Sequence, residues 1–508
     1  MNNPFMPIYR FAAIAAASAL LLPMLACKRD AGTPVAAGAP CPWPTIEAEA
    51  CRTNGTIHGP SRQYLTITSE SSGRKYVELA ANGQYVEFTA TAPANAMVVR
   101  FSIPDAPTGG GLAASLSLSI DGTFVRKIPL SSRHAWIYGD FPWSNDPSKG
   151  KAHHFYDETN ALIGMVRAGQ VLRLQYDATT AAPTCAIDLV ELENIAPPAR
   201  QPAGSLSLVE FGAIADDGVD DSAAMARALA AAAEQGKTLW IPAGEFRLDG
   251  QRLPVGNVRV QGAGMWYSRF TGKSTMFAGT GKPVRFADLG IFGEIDRRVD
   301  DMPENAFDGN FGYGSVFTNL WIEHVKCGFW TSHGTVRMRV ENCRMRNVMA
   351  DGLNFCDGTS DSVVTGCHLR NTGDDALATW STTNPSSSRE PCERNSFTNN
   401  TIEIPWLANG IAIYGGTDHL VSGNLIVGTV FSGGGILISS GFEAVPFRGT
   451  IRVENNRIAG AGGDCYIGES IGGLWINVQH SDIEATIAIT NLRVEDSAAS
   501  GISIHGPM

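Results

Sequence analysis

Five short segments decide the fold: 341–345 (ENCRM), 365–369 (TGCHL), 399–402 (NNTI), 422–426 (SGNLI) and 455–458 (NNRI). Each ends on an aliphatic or Met residue, and each carries Asn or Gly just before its apolar part. Met345 and Leu369 are 24 residues apart, Ile402 and Ile426 are again 24 apart, and Ile322 in 318–322 (TNLWI) precedes Met345 by 23. A second series runs with it: Leu353, Leu377, Ile411 and Ile436, the first two 24 apart. A unit of this length, with short apolar runs and Asn/Gly corners, is one coil of a parallel β-solenoid. No recurring LxxLxLxxN frame is present, which sets a leucine-rich repeat aside. The longer interval from Leu369 to Ile402 predicts an inserted loop around 384–393. The fold class is therefore all-β, with a right-handed parallel β-helix over residues 205–508.

Outward from the repeat, the chain divides. The 508 residues contain 55 Gly and 27 Pro but only 18% charged residues, a profile of β-structure with many turns. Residues 1–27 read as an export signal. Arg10 precedes an apolar run from Phe11 to Leu25, about 15 residues and too short to span a bilayer. The run ends Met24-Leu25-Ala26-Cys27 and resembles a bacterial lipoprotein signal with Cys27 as the lipidated residue. The expected location is the cell envelope through that anchor, or the medium if the protein is simply secreted. Residues 28–40 read as a tether. Residues 41–195 read as a β-sandwich from alternating runs such as 76–80 (YVELA), 85–90 (YVEFTA) and 171–176 (VLRLQY). Residues 196–204 (APPARQPAG) are a linker. An Ala-rich helix is predicted over 222–234, capped by Asp220, Asp221 or Ser222 and stopped by Gly236. The C-terminal stretch reads as a further coil with no capping element. The net charge of −11, with no basic stripe, argues against a nucleic-acid partner, and the expected state is a monomer. Beyond Cys27 nine cysteines remain without a CxxC pair, so a thiolate metal site is not indicated. Export permits disulfides. A bridge among Cys41, Cys51 and Cys185 is one possibility, and Cys343 and Cys367, 24 apart, read either as a bridge or as stacked thiols.

The same period places carboxylates. Asp351 lies six residues after Met345 and Asp375 six after Leu369, so the two occupy equivalent positions on adjacent coils. Strands stack about 4.8 Å apart. Asp374 sits beside Asp375 after Gly373. Three carboxylates so close raise one another's pKa, and an acid beside a base is what glycosidic cleavage needs. A single Asp-Gly is usually a solvated turn; three aspartates in register within one repeat pair point to catalysis.

The opening 209–248, FGA–acidic turn–helix–strand–IPAG, resembles that of the pectin-lyase-like β-helix superfamily. The strings ADGLNF, TGDDALATWS and ANGIAIYGG, with SSGRKYVEL, RFSIPD, WIYGD and HHFYDE earlier, resemble glycoside hydrolase family 87, the α-1,3-glucanases and mycodextranases. The resemblance runs through most of 41–508. It implies inverting endo-hydrolysis of α-1,3-glucosidic bonds in a neutral α-glucan, with no cofactor for catalysis. By similarity with polygalacturonases, Asp374 is the general acid, and Asp351 and Asp375 activate water. The polygalacturonase GHG histidine and RIK basic pair are missing from 408–416 and 432–440, which favours a neutral substrate. The alternatives are another β-helix polysaccharide enzyme, of polygalacturonase or pectate lyase type, and a non-catalytic glucan-binding surface protein. Trp330, Trp380, Trp406 and Tyr414 are candidates to line sugar subsites or to pack at coil edges. Asn354 is a candidate to bind hydroxyls or to ladder with a neighbour. His153, His154, Asp157 and Glu158 read as an interdomain or cleft-edge loop. The first domain resembles carbohydrate-binding modules of families 6 and 35, which implies a structural calcium at Glu47, Glu49 and Asp188.

Overall fold

The computed structural model describes residues 37–506 apart from 142, 250–251, 274–275, 303, 386 and 467. The export segment and Cys27 lie outside the described residues. The N-terminal unit is built of two antiparallel sheets. One orders Asp157–Val166, Ala94–Ser102, Cys185–Glu193, Tyr76–Leu79 and Thr56–His58, with Thr45–Glu47 also pairing to Cys185–Glu193. The other orders Arg52–Thr53, Tyr85–Thr89, Val171–Gln175, Ala113–Ile120 and Thr123–Ser131. Alternate residues of both sheets, among them Val77, Phe88, Val99, Leu118, Leu172 and Ile187, enclose one apolar core. The alternating runs mark five of these strands. Thr123–Ser131 is mostly exposed and Cys185–Glu193 is buried almost throughout, so neither alternates.

The rest of the chain stacks parallel coils. A complete coil gives three strands, for example Arg339–Glu341, Arg344–Arg346 and Leu353–Cys356. The register is the one the repeats specify. Ile322 pairs with Met345, Met345 with Leu369, Leu369 with Ile402, Ile402 with Ile426, and Ile426 with Ile458. Leu353, Leu377, Ile411 and Ile436 form the second column. These side chains fill the interior as one continuous core. Between the first two strands of each coil the chain turns through a left-handed residue: Asn342 (φ 53°), Gly366 (64°), Asn399 (53°), Gly423 (68°) and Asn455 (57°). Only Gly and Asn adopt that conformation readily, which is why the repeat carries them there. Stacked Asn400, Asn424 and Asn456 pass side-chain hydrogen bonds along the coils at 3.0 and 2.9 Å. The insertion in 381–395 lengthens one coil without shifting its strands.

The helix Ser222–Gln235 buries Met225, Ala228, Leu229 and Ala232 against the first coils. Gly236 ends it in the left-handed region. The Asp220 carboxylate accepts from Ser222 N at 3.0 Å. Cys41, Cys51, Cys185, Cys343 and Cys367 are free thiols, so neither the bridge within the first three nor the Cys343–Cys367 bridge is formed.

The two-sheet unit lies against the coils through buried ions. Arg346 donates to Glu158 at 2.9 Å and to Glu191 at 2.8 Å, while Arg370 donates to Glu158 at 2.8 Å and to Glu403 at 2.7 Å and also pairs with Glu191. Arg344 pairs with Glu193 at 2.7 Å and lies over the Trp43 ring. Burial alone would raise the Glu191 carboxyl, but Arg346 and Arg370 outweigh it and pull the value down to about 2. Glu191→Gln would leave two buried guanidinium groups short of a countercharge and should cost about 3–5 kcal/mol. Chemical denaturation at pH 7 reads this, and a loss below about 1 kcal/mol would dismiss the seam as a structural element. Because the folded value is depressed, the stabilisation is present above the ordinary value of 4.5 and is lost as pH falls toward about 2.

Candidate active site

The aspartates occupy one turn of two adjacent coils. Asp351-Gly352 leads into the strand Leu353–Cys356, and Asp374-Asp375-Ala376 leads into Leu377–Trp380. Backbone bonds fix the register at this corner. Gly328 N donates to Asp351 O and Gly352 N to Asp375 O, both at 3.2 Å, and Ala376 N donates to Asn409 O at 2.9 Å. Cys327, Asp351, Asp375 and Asn409 thus form one column across four coils. One side-chain oxygen from each of Asp351, Asp374 and Asp375 falls within 4.8 Å of the others.

Each carboxylate has its own environment. Asp375 is buried, and its Oδ1 accepts from Asn409 N at 3.1 Å and Asn409 Nδ2 at 2.8 Å. Its Oδ2 accepts from Tyr414 Oη at 2.9 Å. Asn409 Oδ1 is taken by Gly434 N at 2.9 Å, which turns the amide NH₂ toward Asp375. Burial and the neighbouring Asp374 still hold the Asp375 carboxyl up at about 7. Asp351 is buried and accepts from Asn354 Nδ2 at 2.8 Å. Desolvation, then Asp374 and Asp375, push its carboxyl well above the ordinary range. Asp374 is the most open of the three, with its side chain 29% exposed, and receives Arg298 Nη1 at 2.6 Å.

The trio stands in a cleft of about 680 Å³. Trp330, Trp380, Tyr414 and Asn354 all line it. The two indoles meet edge to face at 6.1 Å, and Asn354 Oδ1 is buried without a partner. Trp406 is not at the cleft. It is 1% exposed and packs against His153, His154 and Trp143 where the two-sheet unit meets the coils. His153 and His154 are buried at that junction.

Sequence reasoning missed the loop 294–305, which belongs to no strand and no repeat. It brings Arg298, Asp300 and Asp301 to the cleft. Lys326 also lines the cleft, so basic groups are present there. Both are already engaged, Lys326 by the carbonyls of Asp300 at 2.8 Å and Met302, and Arg298 by Asp300 and Asp374, each at 2.6 Å. Six aspartates face these two cations in the lining, namely Asp300, Asp301, Asp308, Asp351, Asp374 and Asp375. With both cations already held by protein oxygens, none is free to receive a carboxylated sugar, which suits the lining to a neutral one.

Family comparison matches this architecture. The alpha-1,3-glucanase catalytic domain D1 matches residues 40–195, and the alpha-1,3-glucanase catalytic domain D2 matches residues 218–498. The chain belongs to the α-1,3-glucanases of glycoside hydrolase family 87. It is a glycoside hydrolase of α-1,3-glucan. The catalytic unit of a thermostable family 87 α-1,3-glucanase from Streptomyces thermodiastaticus strain HF3-3 is 37% identical over 92% of this chain and 84% of that one, with a TM-score of 0.83. The Agl-KA catalytic domain is 28% identical over 94% and 87%, with a TM-score of 0.85. A family 87 catalytic domain in complex with nigerose is 26% identical over 92% and 88%, with a TM-score of 0.78. Other similar structures are α-1,3-glucanase domains bound to nigerose or tetrasaccharides with one aspartate changed to alanine. Their three altered aspartates follow a spacing of 23 and 24 residues, as do Asp351, Asp374 and Asp375 here. No curated protein matches the sequence.

Two clusters among the described residues bring three possible metal-ligand atoms together: Asp351, Asp374 and Asp375, and Asp157, Glu323 and His324. In the second, His324 Nε2 lies 2.8 Å from Asp157 Oδ1, an ion pair that accounts for the cluster. Glu47, Glu49 and Asp188 form no such cluster. Asp188 is taken by the Arg100 guanidinium and by Ser72 N at 2.9 Å, so only Glu47 and Glu49 retain a buried oxygen without a partner.

In this glucanase, Tyr414→Phe removes one hydrogen bond from the ionised form of Asp375. Its pKa should rise from about 7 by about one further unit, a hydrogen bond to a charged group being worth about 1.5–3 kcal/mol. The acidic limb of kcat/KM should then move to higher pH. A limb that stays in place would exclude Asp375 as the group that must ionise.

Proposed function

We propose that the enzyme cuts within neutral α-1,3-glucan chains with inversion, Asp374 donating a proton to the leaving oxygen while Asp351 and Asp375 activate the attacking water. The convergence of the three carboxylates on the floor of one cleft carries this reading. The spacing they share with the aspartates altered in the sugar-bound relatives supports the set. Asp374 is the member open enough to reach a glycosidic oxygen. Asp375 spends both oxygens on Asn409 and Tyr414, which suits it to orient water better than to attack carbon. Nigerose and tetrasaccharide complexes of relatives support the substrate class. A structural calcium held by Glu47 and Glu49 beside Asp188 is supported by their two unpartnered oxygens, and a chelator should then lower the thermal midpoint; an unchanged midpoint removes the ion. The two-sheet unit is read as carbohydrate-binding-module-like, and the coils as right-handed, the sense that parallel crossovers take.

One observation favours a second reading. Carboxylate oxygens within 4.8 Å are nearer the spacing of retaining enzymes, about 5–5.5 Å, than of inverting ones, about 6.5–9.5 Å. The product decides between them. Proton NMR of fresh hydrolysate should show the β-anomer first, and α-anomer would establish retention. Asp374→Asn should reduce turnover of α-1,3-glucan by at least about 10²-fold. It should retain turnover of an aryl α-glucoside chain whose leaving group needs no proton. Equal loss on both substrates would remove Asp374 from the acid role.

A further inference from the structure

Arg298 contacts a catalytic carboxylate, yet no part of the repeat specifies it. The guanidinium sits between two acids, with Nη1 on Asp374 and Nε on Asp300, each at 2.6 Å, and its side chain is 15% exposed. The two-sheet unit holds the loop that carries it. His134 Nδ1 lies 3.2 Å from Ile295 O, Arg133 donates to Glu294 at 3.1 Å, and Asn145 donates to Asp296 at 3.3 Å. The Phe141 and Trp143 rings face the guanidinium at 5.7 and 5.8 Å.

We propose that Arg298 is a positioning residue for catalysis: bridging Asp300 and Asp374, it fixes the Asp374 carboxyl at the open edge of the cleft, and its charge sets the pH range over which the three-aspartate cluster works. This rests on the acid role given to Asp374. The three aspartates bring an oxygen each within 4.8 Å of the others. Burial, Asp374 and Asp375 push the Asp351 carboxyl up, and Arg298 works against them. Asp300 is half exposed and shares the guanidinium with Asp374, so the cation is anchored on the solvent side of the cluster. The other charged groups facing this point are Asp301 and Asp375 on the acidic side and Arg297 and Lys326 on the basic side; Lys326 stays bound to loop carbonyls.

The test is the pH dependence of kcat/KM on α-1,3-linked oligosaccharide for Arg298→Met, Arg298→Lys and the parent, each checked for an unchanged thermal midpoint. An opposite charge at this range lowers a carboxyl pKa by about one to three units. Its loss in Arg298→Met should move both limbs of the bell upward by about one unit, and Arg298→Lys should move them less. Phe141→Ala frees the guanidinium from one ring and should shift the limbs in the same direction by a smaller step. Limbs that stay fixed in a folded Arg298→Met variant would overturn the proposal and leave Arg298 as a loop anchor. A parent enzyme whose Asp374→Asn variant fails the leaving-group test defeats the acid assignment instead, an outcome read independently of the limbs.

Discussion

Everything at the site depends on the hydrogen-bonded register between parallel coils. Once Met345 pairs with Leu369 and Leu353 with Leu377, the corner between them has no freedom, and Asp351 and Asp375 must stack. Like charges at that separation repel, and desolvation adds to the cost. The coils can impose the arrangement because the ladder of backbone bonds and the filled interior on either side belong to many residues, while the repulsion belongs to three. Asn409 is the same column's response. Where a third stacked aspartate would add another charge, the chain places an amide whose NH₂ joins the Asn409 backbone N–H in donating to Asp375.

A second constraint joins the two halves. Glu158, Glu191 and Glu193 come from strands of the antiparallel unit, and Arg344, Arg346 and Arg370 from successive coils. The arginines project from the outer face of the strands whose inward residues are Met345 and Leu369, so the repeat that builds the core also spaces the seam. The antiparallel unit is thereby fixed against the coils, and through His134, Phe141 and Trp143 it touches the segment that carries Arg298 to the cleft. The residues that line the cleft itself all come from the coils and that segment.

The features that recur were legible in the sequence, as was a helix with strong local signals. Register and corner residues return along the coils, several times at 24 residues, so a single chain carries several copies of the pattern that also stacks Asp351 and Asp375. The helix at Ser222–Gln235 announces itself through Ala content and a terminal Gly. Arg298 has no such copy. Its loop lies between coils, and its partner Asp374 is 76 residues away. For Trp406 the sequence left subsite and coil-edge packing open, and the structure takes the second. Its neighbours in sequence point to the catalytic coils, but a tryptophan on a coil can face either the cleft or the docked unit, and only the positions of His153 and His154 decide. The supposed absence of basic groups came from inspecting coils alone. The conclusion of a neutral substrate stands on a different footing, since the cleft's two cations are already held by protein oxygens and neither is free to receive a carboxylated sugar.

The differing exposure of the three aspartates gives the cluster a direction. Burial favours the neutral form most strongly at Asp351, hydrogen bonds favour the charge on Asp375, and Asp374 is the most exposed of the three. Three identical side chains thus stand on a gradient of environment, from fully buried to open. A sugar entering the cleft displaces water from the open end and lowers the dielectric there, which strengthens every charge interaction around Asp374. The nearest of these is the Arg298 guanidinium, which Asp300, next but one to Arg298 and more exposed than Asp374, holds from the solvent side.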